Sequence, residues 1–427
     1  MALDAKMDRR GFLVRAMAAA GMLAVGPNAF ANVNEATRSV HGWDRLRRLN
    51  PKLIDALRGG LLPPDGNGIR LPAGFTSRVV ARTGQAPVSG GSYLWHRSPD
   101  GGATYTTSDG GWVYVSNAEV GSGQGGCGAL RFNANGEVVD AYSILTGTSS
   151  NCAGGATPWG TWISCEETDS GHSWECDPLG VQPAVKRAAL GTFKHEAIAV
   201  DPAARCVYLT EDQSNGRFYR FTPTAWPDFS AGQLDVAEAV GADETVPRSV
   251  TWHAVPNPNP NLGAGDTATR LQVAQSTAFR GGEGIHFHNG RVFFTTKGDN
   301  RVYCYDTRTA MIEIFYDDAW FTSPELTGVD NVIVDSKGFV YVAEDGGNLQ
   351  IVMLAPEGQV LPLLQIVGQD SSEVAGPAFS PDGTRLYFSS QRGTTGQSTG
   401  GITYEVTGPF YATDLVFQTG FEDVTRR

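Results

Sequence analysis

The chain has 427 residues, with 33 Lys and Arg against 45 Asp and Glu, for a formal net charge of −12. That balance, with no basic stripe anywhere, argues against a nucleic-acid partner. The 53 glycines and 23 prolines, and the near-absence of helical periodicity beyond residue 60, argue against a helical body and for a turn-rich, all-β one.

At the N-terminus, Asp8-Arg9-Arg10-Gly11-Phe12-Leu13 precedes an apolar, alanine-rich run from Val14 to Val25 and a small-residue site at Ala29-Phe30-Ala31. This reads as a twin-arginine signal peptide over residues 1–31, with Val14 standing where a lysine is common. The apolar run is too short to span a bilayer, so no stable membrane span is expected. The twin-arginine export machinery is then a partner, and the expected location is periplasmic or secreted. Removing residues 1–31 takes away four basic and two acidic residues and leaves 29 against 43, a charge of −14. Residues 32–75 form a lead-in with a short amphipathic, helical stretch (Trp43 to Leu57) and then Leu61-Leu-Pro-Pro-Asp-Gly66.

From residue 76 onward the chain repeats itself. Six strand-like runs end in a small residue followed by a functional side chain: Trp112 to Glu119, Thr161 to Glu167, Cys206 to Asp212, Arg291 to Lys297, Phe339 to Asp345 and Arg385 to Gln391. Counted from Glu119, Glu166, Glu211, Lys297, Glu344 and Gln391, the spacings are 47, 45, 86, 47 and 47 residues. A period in the forties built from short strands predicts a six-bladed β-propeller over 76–427. The one long gap predicts an irregular insertion at about 223–275, containing Pro256-Asn-Pro-Asn-Pro-Asn261.

A second strand-like run precedes several of these, joined to it by a turn such as Asp201-Pro202, Asn289-Gly290 or Ser380-Pro-Asp-Gly383. Such pairs read as β-hairpins, in which the start of the first strand lies beside the end of the second. Cys152 to Glu166, Glu283 to Lys297 and Asp330 to Glu344 each span 14 residues, and Glu196 to Glu211 spans 15. Each hairpin therefore delivers two functional groups to one edge, and a propeller gathers those edges at one rim of its channel. The expected metal-ligating set is Glu119, Cys152, Glu166, Glu167, Glu196, Glu211, Asp212, Glu283, Asp330, Glu344, Asp345 and Glu373. So many carboxylates in a small volume must protonate or bind cations, and hard oxygen donors in these numbers suit Ca2+. Lys194, Lys297 and Arg392, each at a functional strand edge, are the candidates to meet substrate charge in catalysis, with the planar fork of Arg392 best suited to phosphate. His195 is expected to hydrogen-bond rather than ligate, and His286 and His288 to be ordinary strand residues facing one side. Cys165 and Cys176 are near enough in sequence to bridge a loop, though nothing fixes the connectivity of the six cysteines.

The densest segment, Asn151-Cys152 through Cys165-Glu166-Glu167, resembles the PhoX-type alkaline phosphatase family. Lys194-His195-Glu196-Ala197, Tyr208 to Asp212, Gly216 to Phe221 and Thr295 to Asp299 carry the same resemblance, which runs from about Leu71 to Gly393. It implies a propeller hydrolysing small phosphomonoesters with Fe3+ and Ca2+ held by carboxylates, and Cys152 in the place of the iron-binding thiolate. One departure is Asn117-Ala118-Glu119, where Asn-His-Glu is frequent. Two other readings are a calcium-dependent propeller lactonase or esterase, and a metal-stabilised propeller that binds without catalysis. A monomer is expected.

Overall fold

The computed structural model describes residues 50–356 and 358–411, so the signal peptide expected at 1–31 lies outside the described residues. Five antiparallel sheets, one of them nine-stranded and spanning two blades, form six blades around an axis. Their innermost strands are Pro99–Thr106, Asn151–Ala156, His195–Asp201, Gly282–His288, Val329–Val334 and Val374–Phe379, here blades 1 to 6. Each inner strand touches the next around the circle, and the sixth touches the first, which closes the ring. The six repeated runs of the sequence are the second strands of these blades: Trp112–Ala118, Trp162–Glu166, Cys206–Glu211, Arg291–Thr296, Val340–Glu344 and Arg385–Ser390.

These strands are continuously apolar rather than alternating because both faces of each blade are covered by a neighbour. The buried side chains divide into six clusters, one per blade interface. On the second strand of blade 1, Trp112 and Tyr114 pack toward blade 6 with Tyr387, while Val113 and Val115 pack toward blade 2 with Trp162. The same division separates Cys165 from Cys176. Cys165 lies among the blade 2–3 residues and Cys176 among the blade 1–2 residues, on opposite faces of one sheet, and no bridge joins them.

The ring is closed by the N-terminal part of the propeller. Thr76–Arg82 pairs with Ile402–Thr407 as the fourth strand of blade 6, so residues from the two ends of the fold share a sheet. Across that seam Arg78 and Arg385 both reach Glu405, each at 2.7 Å from a carboxylate oxygen, and Tyr387 donates to it at 2.9 Å. Among the described residues the lead-in carries one short helix, α1 (Pro51–Arg58), with proline in its first turn and Asn50 as N-cap, its Oδ1 accepting from the Leu53 N–H at 3.1 Å. Leu53, Ile54 and Leu57 dock this helix onto the blade 5–6 cluster, each burial stabilising by roughly 1.5–3 kcal/mol.

Residues 223–240 belong to blade 3 itself, as the end of its third strand (Phe218–Ala225) and its fourth strand (Asp228–Val240). The extra segment is therefore shorter than the 86-residue gap suggests and begins at 241. It contains one strand, Arg248–Ala254, whose first residues pair with Met311 and Ile312, joining blades 3 and 4 into one nine-stranded sheet. Asn289 and Gly290 both have positive φ (48° and 78°), as the tight hairpin turn read from their sequence requires. Among the described residues no helix is long and apolar enough to cross a membrane.

Candidate metal centre

All six inner strands carry the same irregularity. Pro99 pairs with Ala118 but Gly102 with Ser116, leaving two residues opposite one. Equivalent slips occur after Asn151, His195, Gly282, Val329 and Ala375. A β-bulge breaks the alternation of the strand and re-aims a side chain. The first extra residue is Asp100, Cys152, Glu196, Glu283 and Asp330 in blades 1 to 5, and Gly376 in blade 6. The second is small or an amide: Gly101, Ala153, Ala197, Gly284 and Asn331. A Cβ on Gly101 would lie 2.5 Å from the Ala153 Cα, and one on Gly284 2.6 Å from the Val332 nitrogen, so the bulges fit only because these positions lack side chains.

The bulge residues converge with two acids from the second strands into three overlapping triads. These are Asp100, Glu119 and Cys152; Cys152, Glu167 and Glu196; and Glu196, Glu283 and Asp330, with the donor atoms of each triad within 4.8 Å of one another. Glu196 is fully buried (0 % exposed), and among the described residues neither of its carboxylate oxygens has a hydrogen-bond partner. One oxygen of Glu283 is in the same condition. Burial, with Glu283, Glu167, Asp330 and Asp100 around it, pushes Glu196 well above the ordinary carboxylate range. Burial and neighbouring acids also push Asp100, Glu283 and Glu373 well up, Glu167 up to about 8 and Asp330 up to about 7. The Cys152 thiol is pushed well up by burial and by Asp100, Glu196, Glu119 and Glu167. Buried acids facing one another without partners fit bound cations, which would supply the missing counter-charge.

The remaining residues picked out from the sequence fall into two groups. Asp212, Lys297, Asp345 and Glu373 lie around the cluster. Glu167 and Asp212 share a hydrogen bond between carboxyl groups, as do Asp345 and Glu373. Lys194 pairs with Glu167 at 3.2 Å, Arg392 with Glu373 at 2.8 Å, and Lys297 with Asp345. Glu166, Glu211 and Glu344 are turned away from the axis. Glu166 accepts from the Ser149 and His172 backbone N–H groups and from Trp174 Nε1; Glu211 accepts from Tyr219 at 2.7 Å and Arg270 at 3.2 Å. Glu344 accepts from the Thr327 and Gln350 N–H groups. His195 accepts or donates at Nδ1 to Ser173 and faces the Gly191 carbonyl with Nε2; burial lowers its pKa to about 3. His286 and His288 line a separate part of the axis, a cavity of about 520 Å³ walled largely by small residues such as Gly102, Gly154 and Ala197. None of the cluster's acids lines that cavity.

Asp100 and Gln391 complete the cluster, and the ligand reading of the sequence lacked both. Asp100 sits in Ser98-Pro99-Asp100-Gly101, the same four residues as the genuine turn Ser380-Pro381-Asp382-Gly383, and so looks like a turn aspartate. Pro99 also pairs 19 residues ahead, against 14 to 16 in blades 2 to 5, which hid it from the spacing. Its place before a second strand, like Cys152 and Glu196, is the signal that could have found it.

Fold and site together define a closed six-bladed propeller with an acid-and-thiol cluster gathered from the bulges of its inner strands. The family model for alkaline phosphatase PhoX matches residues 100–176 and 169–319, together 220 of the 427 residues, and the chain belongs to this family. Pseudomonas fluorescens PhoX, solved in complex with vanadate as a transition-state analogue, superposes with a TM-score of 0.66 at 17% identity, over 82% of this chain and 97% of that one. XC5397 from Xanthomonas campestris, a gluconolactonase, aligns with a TM-score of 0.48 at 13% identity, over 82% of this chain and 98% of that one. No curated protein sequence matches the chain.

Proposed function

We propose that the protein is an exported phosphomonoesterase that uses cations held by the three triads. The carrying observation is Glu196, a fully buried carboxylate without a hydrogen bond at the corner shared by two triads, in a chain of the alkaline phosphatase PhoX family. The all-oxygen triad of Glu196, Glu283 and Asp330 suits calcium, and the triads containing Cys152 suit a softer ion such as iron. Bound there, such ions would polarise a phosphoryl oxygen and stabilise the leaving oxygen.

The chain's own contribution is positioning. Bulges on five inner strands aim the ligands, and a rim of paired cations surrounds them. Lys194, Lys297 and Arg392 are each held by one acid and partly exposed, at 29, 41 and 34 %. Each retains donors that can turn to the oxygens of a small phosphate ester, the guanidinium of Arg392 two at once. The signal segment at 1–31 supports delivery to the periplasm or beyond, and a monomer satisfies the fold.

The test uses protein lacking residues 1–31. Its metals are counted, its visible spectrum is recorded, and p-nitrophenyl phosphate and a simple lactone are offered before and after chelation. We expect phosphate-ester hydrolysis that chelation abolishes and that calcium with iron restores. Arg392→Ala should raise KM or lower kcat at least tenfold. A colourless, calcium-only protein that opens the lactone and leaves the phosphate ester intact would sink the proposal. So would calcium-dependent melting with turnover of neither.

A further inference from the structure

Blade 6 departs from the pattern of the other five at the point where it meets blade 1. Its bulge position is Gly376, where a Cβ would run into the Asp100 backbone carbonyl, so no ligand can be presented there. What blade 6 supplies instead is Gln391, one residue beyond its second strand and 1 % exposed. The Gln391 amide nitrogen donates to Asp100 Oδ2 at 2.6 Å and to Glu119 Oε2 at 2.8 Å. These are the two carboxylates that form a triad with Cys152. The backbone beneath is fixed: the Gln391 N–H donates to the Glu373 carbonyl at 3.1 Å, and the next N–H, of Arg392, to Ser372 Oγ at 2.8 Å. Gly101 N–H holds the other Asp100 oxygen at 2.7 Å.

A primary amide has two protons on one nitrogen and no net charge. In this place it can occupy one oxygen of each acid and keep the pair side by side, yet it leaves their negative charge for a cation. An ammonium would compete with that cation, and a carboxylate would add a third repelling acid. We propose that Gln391 is a positioning residue that aligns Asp100 and Glu119 on Cys152 and thereby sets that triad's affinity for its metal ion. The inference rests on the metal-binding reading above. Groups that orient ligands in this way typically contribute 10–100-fold to metal affinity.

Iron uptake tests it, without any need for turnover. Protein lacking residues 1–31 is stripped with a chelator and titrated with ferric ion alone, and the iron–thiolate absorption is followed. Gln391→Met keeps the length of the side chain and removes both donors; Gln391→Leu removes them in a shorter, branched side chain, and neither variant changes the charge. Both should bind iron about 10–100-fold more weakly than the wild type. Melting in chelator checks that each variant folds, and Gln391→Leu carries the test if Gln391→Met does not. Wild-type affinity, or tighter binding, in a folded variant overturns the inference while leaving the metal centre standing. A wild-type protein that takes up no iron overturns the metal reading and this inference with it.

Discussion

Glu166 and Glu167 are neighbours in the chain, yet the first carboxylate holds Ser149, His172 and Trp174 in place, whereas the second faces Cys152 and Glu196. Glu344 and Asp345 divide in the same way, and so do Glu211 and Asp212: the first of each doublet satisfies local donors, and the second lies by the cluster. In the sequence the two acids of a doublet are indistinguishable, because which face a strand residue takes depends on where pairing stops. The division is testable. Glu166→Ala should destabilise the metal-free protein by about 2–3 kcal/mol through its lost charge-assisted hydrogen bonds, with metal content unchanged. Glu167→Gln should do the reverse, lowering metal content while leaving the melt in chelator unchanged or raised, since one crowded acid is gone. Denaturant melts and metal counts on the two variants decide it; equal metal loss in both would refute the division.

At the scale of the strand, the bulge is the working part. In a regular inner strand Asp100, Cys152, Glu196, Glu283 and Asp330 would each lie on one face of the sheet, against a neighbouring blade; the bulge re-aims them. The paired second-strand runs were legible because their apolar core and terminal acid recur at a fixed period. The bulges were not, since two residues facing one leaves no mark in composition. Gly284 is the sharpest test: Val there must displace the backbone of the next inner strand at Asn331 and Val332. We expect Gly284→Val to cost about 1–3 kcal/mol in denaturant melts and to lower metal content as Glu283 and Asp330 are pushed apart. Unchanged stability and metal content would show that the close approach does not matter.

For the whole molecule, burying this many acids within a closed ring makes stability depend on pH and metal together. In the metal-free protein burial raises Glu167 and Glu313 to about 8 and Glu344 to about 7, all above their unfolded values. The native state then holds more protons than the unfolded state, so stability falls as pH rises through this range. His96 and His195 are lowered to about 3 and oppose this only below about pH 6.5, where an unfolded histidine takes up a proton. Between pH 6.5 and 8 the melting temperature in chelator should therefore drop, and saturating calcium and iron should flatten or reverse the slope. A rising Tm in chelator over that window would contradict the burial of these acids. The ring's closure belongs to this scale too: Thr76–Arg82 completes blade 6 from the far end of the chain, with Glu405 drawing Arg78 and Arg385 to the seam.

The sequence by itself determined the six blades, their second strands and the presence of an acid at most strand ends, because a repeated hairpin writes its period and its apolar core into the residues. It also determined the family, through Cys152 to Glu167 and the motifs around it. Only the tertiary structure decided which acid of each doublet turns to the axis, that a turn-like Asp100 joins the cluster, and that blade 6 contributes an amide in place of a ligand. Those outcomes depend on pairing register, on bulges and on contacts between residues as far apart as Asp100 and Gln391. Local sequence carries no record of such contacts. The six-fold run of strand ends is thus broken at two blades, by Lys297 in blade 4 and by Gln391 in blade 6.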